Sequence, residues 1–355
     1  MKAARAVVWV VLAVTGALAQ TNSPVSHEYA DVNGIRLHYA RAGNGRLVVF
    51  LHGFPEFWYE WKHQLAEFSR DHLVVAPDMR GYNLSSKPEA VADYQMPQLV
   101  EDIRALASGI LQSTEGKTFT LVGHDWGGVV AWVFAAQHPE MLDRLVIINA
   151  PHPSLFGRLL REDAEQQKAS QYMLMFRSPE AEAALSANSY DRLTSMVLGA
   201  GLRNGTVTEQ DKQAYLAAWA QPGALTGGLN YYRASGVGPP SGVGPPSGSG
   251  QPSGVSPASG VAPAPGRGGG APGASPAPSG GGQTIAGVVP AMIVRVPTLV
   301  IWGEKDTALL PSNLVGLDEV VPTLTIKRIP EGTHWVVREN APEVNRLIRE
   351  YLARP

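Results

Sequence analysis

Apolar residues come in short dense bursts along this chain, and the spacing within and between the bursts changes three times. Glu28–Ala42 alternates apolar and polar positions on either side of Asn33-Gly34, which predicts a hairpin whose turn residues tolerate positive φ. Leu47-Val48-Val49-Phe50-Leu51 and Leu73-Val74-Val75-Ala76 are continuous apolar runs, as strands buried on both faces require. A helical period follows in Met96–Leu111, then a strand at Phe119–Val122, a helix at Trp126–Gln137 and a strand at Leu145–Ile148. Strands alternating with helices predict an α/β fold with a mostly parallel sheet flanked by helices. From Pro151 to about Ala234 the strand signals vanish, and Glu, Gln, Ala, Leu and Met recur at helical spacing. Sheet character returns at Thr298–Trp302 and Thr323–Ile326, before a last helix at Ala341–Ala353. The pattern is that of a helical block inserted into an α/β domain.

Composition adds two segments to this outline. Ser235–Gln283 is almost entirely Gly, Pro, Ser, Ala and Val, with Ser-Gly-Val-Gly-Pro-Pro twice in tandem, and cannot bury enough side chain to fold. It reads as a disordered spacer, which the fold tolerates because loop closure grows costly only slowly with length. Met1–Ala19 has basic Lys2 and Arg5, an apolar stretch from Ala6 to Leu18, and small residues before Gln20. This is the pattern of a secretory signal cut after Ala19, with a retained anchor as the alternative; the expected location is periplasmic or secreted. The expected division is a signal at 1–19, core at 20–150, helical cap at 151–234, spacer at 235–283 and core again at 284–355. With no cysteine, disulfides and thiolate metal ligands are excluded. Losing Lys2 and Arg5 takes the formal charge from −2 (29 basic against 31 acidic residues) to −4, with both signs scattered. Nothing here suits nucleic acid or an anionic membrane surface.

The candidate chemistry begins at Gly123-His124-Asp125-Trp126-Gly127-Gly128, directly after the strand Phe119–Val122. Small residues two places before and after Asp125 allow a strand to turn sharply into a helix and present the side chain at the sheet edge. Serine in such an elbow attacks acyl carbon, whereas a carboxylate suits displacement at saturated carbon, giving an alkyl ester that water then cleaves. An aspartate in this position also caps helices, and the hexapeptide alone leaves the two readings balanced. A nucleophile needs further groups. His334 follows the strand Thr323–Ile326, Asp306 follows Thr298–Trp302, and the order Asp125, Asp306, His334 is the nucleophile, acid, histidine order of α/β-hydrolases. His52-Gly53-Phe54-Pro55 follows Leu47–Leu51, so the backbone amides of Phe54 and Trp126 are the candidate oxyanion donors. Pro55 stiffens this loop and is a place where a cis bond is tolerated. His52 is expected to hold the loop by a hydrogen bond, and the aromatic run Phe57–Trp61 to form pocket wall and core.

These segments, with Pro77-Asp78-Met79-Arg80-Gly81-Tyr82 and Trp302-Gly303-Glu304-Lys305-Asp306, resemble α/β-hydrolase-fold epoxide hydrolases of the soluble, aspartate-nucleophile type. The similarity runs from about Glu28 to Tyr351 outside the low-complexity segment. It implies a small-molecule epoxide and water as reactants, no cofactor or metal, and two cap tyrosines that protonate the epoxide oxygen. Tyr172 and Tyr232 match those positions, with Tyr231 a competing register. The same motifs occur in haloalkane and haloacetate dehalogenases. Phe54 lacks the side-chain amide that one dehalogenase branch uses for halide, although Trp219 is available as a halide donor of another kind. Trp126 stands where haloacetate dehalogenases carry arginine. A non-catalytic binding protein on this fold is the third reading, and oligomeric state is left open.

Overall fold

The computed structural model describes residues 25–114, 116–240 and 292–354. The signal read at 1–19 and all but the first residues of the spacer read at 235–283 lie outside them. The chain begins with β1 (Ser26–Val32) and β2 (Ile35–Ala42), joined by Asn33 and Gly34 at φ of 44° and 76°. Next come β3 (Arg46–Leu51), α1 (Lys62–Phe68), β4 (His72–Pro77), α2 (Met96–Leu111), β5 (Phe119–His124), α3 (Asp125–Gln137) and β6 (Leu142–Ile148). A run without strands follows: α4 (Pro153–Glu162), α5 (Ala164–Ala169), α6 (Tyr172–Arg177), α7 (Ala181–Val197), α8 (Gly199–Asn204), α9 (Glu209–Trp219) and α10 (Ala224–Ser235). The sheet resumes with β7 (Thr298–Gly303), α11 (Leu317–Val320), β8 (Leu324–Ile329), α12 (Val336–Glu339) and α13 (Ala341–Leu352).

The eight strands lie in the order β1-β2-β4-β3-β5-β6-β7-β8. β2 pairs antiparallel with β1 and with β4, and every other pairing is parallel. Alternation along each strand divides the core. Val49, Leu121, Leu145 and Val300 belong to one cluster with α2 and α3, while Val48, Val122, Val146 and Ile301 belong to the other with α1 and α13. Helix α13 has a narrow apolar stripe, Val344, Leu347, Ile348 and Tyr351, all buried. Each such side chain contributes about 1.5–3 kcal/mol over leaving it in water.

Two boundaries differ from the pattern-based reading. β8 extends to Ile329 because Lys327 and Arg328 lie on the last strand of the sheet, where polar residues hide a strand from a hydrophobicity count. Ser235, read as the start of the spacer, instead closes α10.

Candidate active site

β5 passes into α3 with no residue between them, and Asp125 takes a φ of 47° at the junction. An L-residue adopts this left-handed conformation only when its surroundings impose it. Here they do: a Cβ on Gly123 would come within 2.7 Å of Gly128 Cα, and one on Gly127 would strike the Leu51 carbonyl. The Asp125 carboxylate does not cap α3, whose N-cap is His124 without a side-chain bond. Its Oδ1 instead accepts the Phe54 amide N–H at 2.8 Å, from the loop after β3. The Phe54–Pro55 peptide bond is cis.

Asp125 Oδ2 lies 3.8 Å from His334 Nε2, and the other ring nitrogen, Nδ1, donates to Asp306 Oδ2 at 2.8 Å. Three residues far apart in sequence thus converge on the C-terminal ends of β5, β7 and β8. Asp306 has its oxygens filled: Oδ1 accepts from the amides of Ala308 (2.8 Å) and Leu309 (2.9 Å), and Oδ2 also accepts from Asn149 Nδ2 at 2.8 Å. Burial pushes the Asp306 carboxyl up, but the His334 charge, its hydrogen bond, and the Leu309 and Asn149 donors carry it below the ordinary value. Burial likewise pulls the His334 imidazole down, and Asp306, then Asp125 and Glu60, outweigh it and raise the pKa to about 9. The imidazole is therefore a cation in the free protein at neutral pH.

Above Asp125 is a cavity of about 540 Å³, lined mainly by apolar groups, Val129, Phe156, Leu160 and Val237 among them. Residues 236–240 supply part of its wall and exposed Arg161 part of its rim. Tyr172 of α6 and Tyr232 of α10 line it together with Asp125, their ring centroids 6.4 Å apart. Burial, and next the Asp125 charge, hold both phenols well above the usual tyrosine range, so both are neutral donors at working pH. Tyr231 does not reach the cavity: its hydroxyl donates to the Arg80 carbonyl at 2.9 Å. The Trp126 indole stands edge-on to Tyr232, with centroids 5.2 Å apart.

His52 holds its loop as expected, Nδ1 donating to the Gly53 carbonyl (2.9 Å) and Nε2 accepting from the Met79 amide (3.0 Å). The aromatic run behaves differently from expectation. None of Phe57 to Trp61 lines this cavity; Phe57 and Trp61 are core residues. The site also contains groups that motif matching passed over. Asn149, at the end of β6, supports Asp306 and closes on Gly303 by a 2.8 Å bond from the Gly303 amide. Arg338 of α12 bonds Glu56 and the Val197 carbonyl, and Tyr215 of α9 bonds the other Glu56 oxygen. Only a buried-polar reading of Glu56 beside Glu60 in an aromatic run would have marked them. Among the described residues no three His, Asp or Glu side chains are grouped to hold a metal ion.

The family model for the alpha/beta hydrolase fold matches residues 46–341. Epoxide hydrolase 4 of Homo sapiens is 32% identical over 342 residues, covering 92% of this chain and 79% of that one. The chain belongs to the α/β-hydrolase family, on its epoxide hydrolase branch. This hydrolase is also 36% identical over 332 residues to the AB hydrolase superfamily protein YfhM of Bacillus subtilis, covering 92% of its own length and 98% of YfhM. Among solved structures it is similar to an epoxide hydrolase from Bacillus megaterium, with 32% identity, a TM-score of 0.73, and coverage of 92% and 100%.

Proposed function

We propose that this hydrolase opens an epoxide to a vicinal diol by way of an alkyl ester on Asp125. The observation that carries the reading is the pairing of two neutral phenols, Tyr172 and Tyr232, with the carboxylate in one apolar cavity. Asp125 attacks the less hindered epoxide carbon, the ring C–O bond breaks, and a tyrosine gives its proton to the departing oxygen. A water then attacks the ester carbonyl while His334, oriented by Asp306, takes its proton. The Phe54 and Trp126 amides hold the oxyanion, whose collapse releases the diol and Asp125. The resting imidazolium of His334 reprotonates the tyrosinate once the ester has formed, so the neutral ring is free to take the proton of the attacking water and ends the cycle charged again. The electrostatics favour this order. The first step needs no base, so a protonated His334 does no harm; forming the ester removes the Asp125 charge that helps raise His334, so the imidazole becomes easier to deprotonate when a base is needed.

The apolar lining supports a bulky apolar epoxide as substrate. A variant of the Bacillus megaterium epoxide hydrolase has been solved with its product, a naphthyloxy-propanediol, which points to the same class. Dehalogenation is the weaker reading. Trp219, its candidate second halide donor, gives its indole N–H to the Pro55 carbonyl at 2.7 Å, and Phe54 has no polar side-chain group. Purified protein and its Asp125→Ala variant, incubated with aryl and alkyl epoxides and with haloalkanes, should give diol from the parent alone. Halide release without diol, or neither product, would overturn the proposal. His334→Gln should trap the ester, visible as added mass on the Asp125 peptide. Met1–Ala19 supports export, in which case N-terminal sequencing of the exported protein begins at Gln20.

A further inference from the structure

Glu60 is a buried carboxyl that this mechanism does not use and that does not line the cavity. Its Oε1 lies 2.6 Å from His124 Nδ1 in an oblique contact, and its Oε2 has no partner. His124 Nε2 donates to the backbone carbonyl of His334 at 2.9 Å, and the two rings are 4.8 Å apart. The Gly53 amide also faces the Glu60 carboxyl, and the next residue, Phe54, binds Asp125. One carboxyl therefore reaches toward both groups that hold the site together. An ionised carboxylate with an unpartnered buried oxygen is costly, so the neutral acid is favoured. Burial pushes Glu60 up to about 8 and His124 down to about 4, which leaves both uncharged at neutral pH. The charged and titratable groups facing Glu60 come from every neighbouring element: Arg338 of α12, Asp125 of α3, His334 after β8, His124 of β5, Glu56 and Tyr215.

We propose that Glu60 is a positioning residue for ester hydrolysis, acting through His124 on the orientation of His334 and directly, by its charge, on the basicity of that ring. This rests on the reading of His334 as the base given above. Ionisation of Glu60 places a negative charge near His334 and makes that ring harder to deprotonate; the uncharged glutamine removes this influence. In Glu60→Gln, which keeps an N–H donor for His124 Nδ1, single-turnover ester formation should stay within about threefold of the parent. The part of the pH–rate limb of ester hydrolysis above about pH 8, where Glu60 is ionised in the parent, should move to lower pH by about half a unit or more. A purely structural role predicts slower rates and a lower melting temperature with that limb unmoved, and this result would overturn the proposal. Should the glutamine variant not fold, the parent itself carries the test. With 15N-histidine, the His334 ring resonances should show a second inflection near pH 8 as Glu60 ionises; a single inflection sinks the idea. This readout needs no substrate. Coupling without epoxide turnover would keep the Glu60–His334 link and remove the epoxide reading instead.

Discussion

Gly53→Ala tests how tightly the site depends on the position of one carboxylate. A Cβ at residue 53 would lie 2.7 Å from Asp125 Cγ and nearer still to Asp125 Cβ and Oδ1. Carbon atoms rest at roughly 3.5–4.0 Å, so something must yield by about 1 Å. The Asp125 backbone has little freedom, wedged between Gly123 and Gly127, neither of which has room for a methyl group. The side chain must swing instead, away from the Phe54 amide. A displacement of about 1 Å at a reacting group lowers the rate on the order of a hundredfold, or about 2.7 kcal/mol in the barrier. The assay is kcat/KM for diol formation, alongside thermal melting. Gly109→Ala is the control: it lies exposed on α2 with nothing within 4 Å of an added Cβ. That change should raise stability by roughly 0.5–1 kcal/mol and leave activity alone. A folded Gly53→Ala protein with kcat/KM within about threefold of the parent would refute the reasoning.

Other outcomes follow from the same geometry. Asn149→Ala removes a donor to Asp306 and a partner of Gly303 at a residue with φ of 38°, so melting should fall by the equivalent of about 2–4 kcal/mol and ester should accumulate during turnover. Stability should decline from neutral to alkaline pH. Both Glu60 (ordinarily 4.5, about 8 here) and His334 (6.5, about 9 here) are raised in the fold, so their contributions are complete below the unfolded values and are lost as pH rises through the folded ones. Melting temperature measured from pH 6 to 10 checks this, and Glu60→Gln should flatten the lower part of the decline. A deletion confined to residues 241–283 should leave KM unchanged, whereas one beginning at Gly236 removes cavity wall and should raise it.

The sheet was legible because its parallel strands are continuous apolar runs, and the elbow because glycine at 123 and 127 has few other uses between a strand and a helix. The order of Asp125, Asp306 and His334 was equally readable, since each follows its own strand. What stayed hidden is polar and long-range. Nothing local in Trp58-Tyr59-Glu60-Trp61 tells that Glu60 points inward, because burial of a charged residue depends on partners such as His124 and Arg338 that are 64 and 278 positions away. Sequence matched Tyr232 to the second position but left Tyr231 as a competing register. Helix phase separates them: one turns to the Arg80 carbonyl and the other to Asp125.

Arg338 ties the sheet side of the molecule to α7 and α9, and Gln166 of α5 ties the other flank by bonds to Ala308, Leu310 and Asn313. Swinging the helices away as one body would leave Arg338 paired with Glu56 but break its bonds to the Val197 carbonyl and Tyr215 together with the Gln166 bonds, a penalty of about 5 kcal/mol at roughly 1 kcal/mol for each. At roughly 1.4 kcal/mol per factor of ten, fewer than about one molecule in a hundred would be open at any moment. Among the described residues no such bond stands beside Arg161 and residues 236–240, so reactant and diol are expected to pass on that flank. That flank is framed by the first copy of the Ser-Gly-Val-Gly-Pro-Pro repeat, so the opening residues of a stretch whose composition marked it as filler are expected to set how fast reactant and diol exchange.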